Sequence, residues 1–261
     1  MKTVVVPIDF STTSLNAADY AVKMLTGSYD TNLVLYHMYE KKSDEEVVLD
    51  QLSNLKNSIT KNSPLRIETI AVHGDDLITE IERVVHHRQA DLVVMGITAK
   101  TGLEQVFAGS NTLKLVDKNA VPVLIIPSEA DFDQIKNVAL ASDFKDVLLS
   151  TPSVPIKSLL QLFHPALHIV NVDREHYISI TAEYQKEKTV MDQLFADYDP
   201  EFYFIGMNDF FEAIWQFIQD KKIDILITIP RHHSLISGIL KEVHTKKLAY
   251  HTHIPILAVH E

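Results

Sequence analysis

The residues best suited to chemistry in this chain lie in its first half. Gly96 follows an apolar run, and a glycine there lets the backbone pass close to a ligand. Gly109, Ser110 and Asn111 open a helical pattern, so free N–H groups and a hydroxyl would lie at a helix N-terminus, which suits phosphate. Asp9 ends another apolar run and adds a carboxylate. The same spacing is compatible with simple turns and a helix cap, so two interpretations remain at this point.

Histidine is concentrated in the second half of the chain. Imidazole is the commonest metal ligand in proteins, so His232, His244 and His251, with Glu242, form a candidate metal set. No compact ligand motif such as His-Glu-x-x-His joins them. We therefore favour surface and helix-end imidazoles, and we expect no metal site.

The composition excludes several classes of function. Acidic residues number 35 and basic residues 24, and the net charge of −11 disfavours nucleic acid and anionic membranes as partners. The chain has no cysteine, which excludes disulfides, thiolate catalysis and Cys–zinc sites. No P-loop or Gly-x-Ser-x-Gly motif is present. No apolar run approaches the roughly 18 residues of a membrane span, so we expect a cytoplasmic protein.

The chain repeats itself once. The apolar run that ends at Asp9 recurs 134 residues later in the run that ends at Asp143. Three further runs recur at almost the same offset, and the pairs are 33–38 with 167–172, 91–95 with 224–228, and 121–126 with 254–259. This pattern predicts a tandem duplication with domains at 1–128 and 136–261. A polar, proline-containing segment at 127–131 joins them.

Each half alternates short Val/Ile/Leu runs with longer amphipathic segments. The predicted strands are 3–9, 32–38, 66–72, 91–96 and 122–126, then 137–143, 166–172, 201–206, 224–229 and 255–260. The predicted helices include 13–25, 44–62, 76–88, 109–119, 177–198 and 209–221. Ser11 or Thr12 is expected to cap the first helix and Asp75 the third. The alternation predicts two doubly wound α/β domains, each a five-stranded parallel sheet with helices on both faces.

One set of spacings matches a known signature, which is Gly, two residues, Gly, nine residues, then Gly-Ser or Gly-Thr. Gly96, Ala99, Gly109 and Ser110 fit it, with Ala99 in place of the second glycine. Val-Pro-Ile-Asp-Phe-Ser near the start, Leu-Tyr-His-Met and Val-Pro-Val-Leu-Ile-Ile-Pro fit as well. In these features the chain resembles the universal stress protein family in its tandem two-domain form. The resemblance covers both halves and implies the strand order 3-2-1-4-5.

The resemblance also implies a ligand, an adenine nucleotide such as ATP or AMP, with or without Mg. Pro7 and Asp9 would meet its base and ribose, and the backbone at Met38 would read the adenine edge. Met95 and Gly96, with the neighbouring Ala99, would line the ribose and first phosphate. The outer phosphates would be held by Gly109, Ser110 and Asn111. No residue is expected to be catalytic.

The second half has lost this pattern. The repeat places Ile229 at Gly96, His232 at Ala99, Glu242 at Gly109 and Val243 at Ser110. A carboxylate repels phosphate, and isoleucine lacks the conformational freedom of glycine. Of the corresponding site residues, Asp143 alone survives. We expect no nucleotide in this half.

These features favour a stress-response regulatory protein that binds an adenine nucleotide in its first half without efficient catalysis. The alternatives are an interaction or scaffold protein of the same fold that binds no nucleotide, and a His-rich metal-binding second half. The protein partner is unknown. The apolar last strands, 121–126 and 254–259, are expected to pair antiparallel and form an in-chain pseudo-dimer, because bare edge strands aggregate. The same edges could support a homo-oligomer.

Overall fold

The computed structural model describes residues 1–28, 30–60, 65–98, 110–173, 181–230, 248 and 252–260. Ser110 is described by its backbone alone. The chain divides into two compact units, Met1–Asp133 and Gln134–Glu261. Among the described residues, no helix has the length and apolar character needed to cross a membrane.

The first unit is a five-stranded parallel sheet with crossover helices. Its elements in chain order are β1 (Thr3–Pro7), α1 (Thr12–Leu25), β2 (Asn32–Tyr39), α2 (Glu45–Thr60), β3 (Arg66–His73), α3 (Leu77–Arg88), β4 (Leu92–Ile97), α4 (Ser110–Lys118) and β5 (Val123–Pro127). The strand order is β3-β2-β1-β4-β5, and every pairing is parallel. The predicted α/β class and the order 3-2-1-4-5 are therefore confirmed for this unit.

The second unit repeats this topology. Its elements are β6 (Asn137–Ala141), α5 (Val147–Ser150), α6 (Ser153–Phe163), β7 (Ala166–Val172), α7 (Ala182–Leu194), β8 (Glu201–Ile205), α8 (Phe210–Lys221), β9 (Ile225–Thr228) and β10 (Ile256–Ala258). Strand β6 lies between β7 and β9, β8 pairs with β7, and β10 pairs with β9, all in parallel. The two halves thus share one strand order as well as one sequence pattern.

The central strands are buried on both faces. Consecutive residues of a strand point to opposite faces, yet Val4, Val5 and Val6 of β1 all have 0% exposure. Leu33, Val34 and Leu35 of β2 are equally buried. Continuous Val/Ile/Leu runs are the pattern that a parallel sheet covered on both sides requires.

The first helix of the repeat is continuous in the first unit and broken in the second. Helix α1 spans 14 residues, whereas its counterpart is divided into α5 and α6. The break falls at Thr151 and Pro152. Proline has no N–H to donate and clashes with the preceding turn, so it ends α5 and sits at the N-cap of α6.

The segment predicted to be a linker packs on the first unit. Asn16 Nδ2 of α1 donates to the carbonyl oxygens of Pro127 at 3.3 Å and Ala130 at 3.0 Å. Lys23 Nζ, in the last turn of α1, lies 2.7 Å from Asp131 Oδ1. We name residues 127–133 the connector. It belongs to the first unit, whose last residue is Asp133.

Two local predictions are corrected. Helix α3 is capped by Asp76, whose Oδ1 accepts the N–H of Ile78 at 3.1 Å, and not by Asp75. Helix α7 begins at Ala182 with Thr181 as its N-cap, so the helix predicted from residue 177 was too long. Neighbouring Asp, Ser and Thr residues can all cap a helix, and the backbone geometry decides which one does. By contrast, Ser11 caps α1 as predicted.

Candidate functional site

A cleft of about 360 Å³ opens at the carboxyl ends of β1, β2 and β4. Strand β1 lies between β2 and β4, so the chain leaves it in one direction and later returns on its other side. This reversal of strand order leaves a crevice, which is where parallel α/β sheets bind ligands. The cleft is lined by Pro7, Ile8, Asp9, Ser11, Thr13, Ser14, Met38, Leu77, Met95, Gly96, Thr98, Asn111 and Thr112.

The turn between β1 and α1 carries the carboxylate of the cleft. Asp9 Oδ1 accepts the backbone N–H of Ser11 at 3.0 Å and its hydroxyl at 2.5 Å. Burial raises the pKa of Asp9, but hydrogen bonds from Ser11 and Ser14 lower it, and the net pKa lies below the usual range. Asp9 is therefore ionised at neutral pH. One of its oxygens already serves the turn.

The end of β2 presents backbone polar groups to the cleft. The Tyr36 carbonyl accepts a hydrogen bond from Ile8 N–H at 2.7 Å, so it faces β1, and the Tyr39 carbonyl accepts from Gly74 N–H on the opposite side. Backbone groups alternate in direction along a strand. The N–H and C=O of Met38 therefore face the β1 side, beyond the last residue of β1, where Met38 lines the cleft.

The end of β4 is joined closely to α1 and α4. A β-carbon on Gly96 would lie 2.5 Å from the Thr13 carbonyl oxygen, so glycine allows α1 to approach β4. Thr112 is 2% exposed, and its hydroxyl donates to the Gly96 carbonyl at 2.8 Å. The hydroxyls of Thr13 and Thr98 are 3.1 Å apart. These contacts place the first turns of both helices at the cleft.

The structure brings together most of the residues named from the sequence. Those that line the cleft are Pro7, Asp9, Met38, Met95, Gly96 and Asn111. Ser110 is the first residue of α4, which starts beside them. Ala99 and Gly109 lie outside the described residues.

Sequence reasoning missed the hydroxyl groups of the cleft. Thr13, Ser14, Thr98 and Thr112 line it beside the predicted residues. The signal was present, because the uninterrupted run from Ser11 to Ser14 follows directly after the first strand turn. Only Ser11 and Thr12 were considered there, and only as helix caps.

The corresponding part of the second unit differs. Ile229, at the position of Gly96, is 1% exposed, and Asp143 is 4% exposed. A smaller cleft of about 240 Å³ contains four carboxylates, which belong to Asp143, Asp146, Glu183 and Glu187, and one lysine, Lys145.

The candidate metal residues of the second half, His232, Glu242, His244 and His251, lie outside the described residues, as does Val243. Within the described part of the chain, no three His, Asp or Glu side chains are grouped so that they could hold a metal ion.

Comparison with known protein families identifies relatives of the first unit. The model of the universal stress protein family matches residues 1–127. The first unit of this chain belongs to the universal stress protein family. A universal stress protein of Methanocaldococcus jannaschii is 26% identical over 139 residues, which cover 48% of this chain and 81% of that protein. A second one from the same organism is 22% identical over 152 residues, covering 48% of this chain and 94% of that protein.

The fold of the whole chain is that of solved universal stress proteins. A crystal structure from Archaeoglobus fulgidus superposes with a TM-score of 0.70 at 15% identity. The match covers 99% of this chain and 98% of that one. The similarity therefore includes both units, and at this identity it concerns the fold alone.

Proposed function

We propose that this universal stress protein is a stress-response regulatory protein that binds one adenine nucleotide, ATP or AMP, in the cleft of the first unit. The observation that carries the proposal is the cleft itself. It lies where the strand order reverses, and it collects Asp9, Met38, Gly96 and Asn111, which the sequence had named separately. Its volume of about 360 Å³ falls within the range of small-molecule sites.

Each part of the nucleotide has a matching group. The backbone N–H and C=O of Met38 suit the hydrogen-bonding edge of a base, and Pro7 and Met95 supply apolar surface beside it. The Asp9 carboxylate accepts hydrogen bonds, which suits the ribose hydroxyls. The first turn of α4, with Ser110 and Asn111, suits phosphate, because unpaired N–H groups and the helix dipole favour an anion there.

The phosphates would be held without strong catalysis. Efficient phosphoryl transfer needs metal ligands, a positioned nucleophile and a cation on the leaving phosphate. In the described lining of the cleft, Asp9 is the only acidic side chain, and no lysine or arginine is present. We propose that ATP is hydrolysed slowly at most, far below the roughly 1–100 per second of an ordinary kinase.

Calorimetric titration with ATP and with AMP, each with and without Mg, tests the proposal. We expect one nucleotide per chain, because Ile229 in the second unit occupies the position at which Gly96 is needed in the first. A stoichiometry of two would contradict the restriction to the first unit. An absence of heat and of any shift in the thermal unfolding midpoint with all four titrants would contradict nucleotide binding itself.

A second candidate function is protein interaction without a nucleotide. Leu148, Leu149 and Val154 of the second unit are 71%, 84% and 76% exposed. Exposed large apolar side chains, here with Leu148 and Leu149 adjacent in sequence, are typical of surfaces that bind other proteins when they form a patch. If the titrations show no nucleotide, this surface becomes the better explanation, and changing both leucines to serine should then abolish partner capture without lowering stability.

A further inference from the structure

The imidazole of His37 is bonded to the turn that forms one wall of the cleft. His37 Nδ1 lies 2.7 Å from the Ile8 carbonyl oxygen. A carbonyl oxygen only accepts hydrogen bonds, so Nδ1 carries the proton and donates it. The Phe10 ring packs on the same imidazole with centroids 5.0 Å apart. Phe10 has a φ of 61°, which is rare for a residue other than glycine.

The imidazole occupies a place that a backbone group would otherwise fill. Ile8 N–H donates to the Tyr36 carbonyl, which continues the parallel ladder one step past β1. In such a ladder, the next bond would run from Met38 N–H to the Ile8 carbonyl. That carbonyl accepts from the side chain of His37 instead. Met38 N–H consequently stays directed towards the cleft.

The second unit has the same arrangement with a different residue. Asn171, 134 positions after His37, donates from Nδ2 to the Ser142 carbonyl at 2.8 Å. Ser142 N–H donates to the Val170 carbonyl at 3.0 Å, as Ile8 does to Tyr36. Asparagine Nδ2 and histidine Nδ1 are the same distance along their side chains. The hydrogen bond from this side chain to the carbonyl is therefore present in both units, although asparagine replaces histidine in the second.

We propose that His37 is a positioning residue for base recognition, because it binds the Ile8 carbonyl and so leaves Met38 N–H available to the base. This inference rests on the proposed nucleotide function. Adenine offers N1 as an acceptor to such an N–H. Hypoxanthine carries a hydrogen on N1 and a carbonyl in place of the amino group, so its pattern is reversed. The site should therefore prefer AMP to inosine monophosphate.

Removing the donor should release the Ile8 carbonyl. Met38 N–H is then the next donor along the ladder, and pairing the two would extend β1 into the cleft and withdraw the N–H from the base. Phosphate and ribose contacts would remain. The expected result is weaker binding of AMP and a reduced preference between bases, rather than a uniform loss of affinity.

The test compares His37→Leu with His37→Asn in the full chain. Leucine and asparagine have nearly the same shape, and both remove the ring that packs on Phe10, so they differ in the polar amide and its N–H donor. We expect His37→Leu to weaken AMP binding about tenfold, the worth of one hydrogen bond, and to bring AMP and inosine monophosphate to similar affinities. His37→Asn should keep the preference for AMP, as Asn171 keeps the bond in the second unit.

Urea unfolding of both variants serves as the control for stability. If both variants remain folded at the temperature of the titration and show the same ratio of affinities for the two nucleotides, the positioning role is overturned and nucleotide binding stands. If wild-type protein binds AMP and inosine monophosphate equally, the role in base recognition is likewise overturned. If wild-type protein binds neither AMP nor inosine monophosphate, this inference is overturned, and if it also fails to bind ATP, the proposed function fails as well.

Discussion

A β-carbon on Gly96 would lie 2.5 Å from the carbonyl oxygen of Thr13. The glycine that the sequence assigned to a close approach by a ligand is thus also needed for a close approach by a helix. Helix α1 begins at Thr12, so this contact fixes the first turn of the helix against β4 at the floor of the cleft. The position of the helix and the shape of the binding site therefore depend on the same missing methyl group.

Gly96→Ala should destabilise the protein and distort the cleft. The clash is with backbone, so α1 must move, and overpacking of this kind costs about 1–3 kcal/mol of the free energy of unfolding. Urea unfolding measures this loss, and titration with AMP should show weaker binding. The control is Gly27→Ala, which strains a φ of 98° just after the end of α1 but meets no atom within 4 Å. That variant should lose stability and keep its nucleotide affinity.

Ser110→Glu should abolish nucleotide binding without unfolding the protein. An acidic residue in the first turn favours a helix by about 0.3–1 kcal/mol, but its charge repels a phosphate bound at the same N–H groups. Ser153→Glu is the matched control, because Ser153 begins α6 of the second unit. Calorimetry should show no binding for the first variant and unchanged binding for the second. Equal binding by both would show that phosphate does not bind at the start of α4.

Acid should destabilise the second unit through His168, which is 6% exposed. Burial lowers the pKa of His168, Glu201 raises it, Lys221 lowers it, and the net pKa lies below the unfolded value of about 6.5. The folded state therefore resists protonation. The stability that His168 contributes is complete above a pH of about 6.5 and is lost as the pH falls towards the folded-state pKa.

The matched variant for this prediction is His168→Gln. Glutamine keeps an N–H near the position of Nε2, which lies 3.2 Å from Asn137 Oδ1. The free energy of unfolding, measured with urea, should fall more between a pH of about 7.5 and about 5.5 in wild type than in this variant. His164→Gln provides the comparison, because His164 is exposed and its αL conformation is the one that Gln89 adopts at the end of α3. If the free energy of unfolding falls equally with acid in wild type and His168→Gln, His168 is not the cause of the destabilisation.

The first unit, produced alone, should dimerise or aggregate. Among the described residues of this unit, β5 pairs with β4 alone, so its outer edge carries unpaired backbone groups next to apolar side chains. The fragment should end at residue 133 and not at 128, because the connector supplies the partners of Asn16 and Lys23. Light scattering at tens of micromolar, with the full chain as the reference, measures its mass. A monomeric fragment would contradict the sequence-based expectation that the last strands of the two halves pair.

The strands were the most predictable part of the molecule, and their order followed from the resemblance to universal stress proteins. Buried parallel strands are continuous apolar runs, and four of these runs recur 133 or 134 residues later, so each supports the prediction of the other as a strand. Helix ends were harder to predict, because Asp75 and Asp76 are consecutive and either carboxylate is a suitable cap for the same helix. The break between α5 and α6 depends on Pro152 and was not predicted, although a proline within a helical segment is a visible signal.

The candidate site was predictable where glycine or charge marks it. Asp9 and Gly96 stand out at the ends of apolar runs, so they could be named from the sequence although turns and a helix cap explained them as well. The bond between His37 and the Ile8 carbonyl could not, because it depends on the register of β1 against β2. A one-residue change of register would turn the imidazole to the other face of the sheet.

The central position of β1 has a consequence for the order in which the chain is made. Its valines are translated before the other strands of the first unit, yet one of its two neighbours, β4, follows about 85 residues later. At about 5–20 residues per second, the ribosome leaves that edge of β1 without its partner for on the order of ten seconds. During this interval β1, whose three valines are fully buried in the folded unit, has one unpaired apolar edge on the nascent chain, and chaperones on the ribosome would meet that edge.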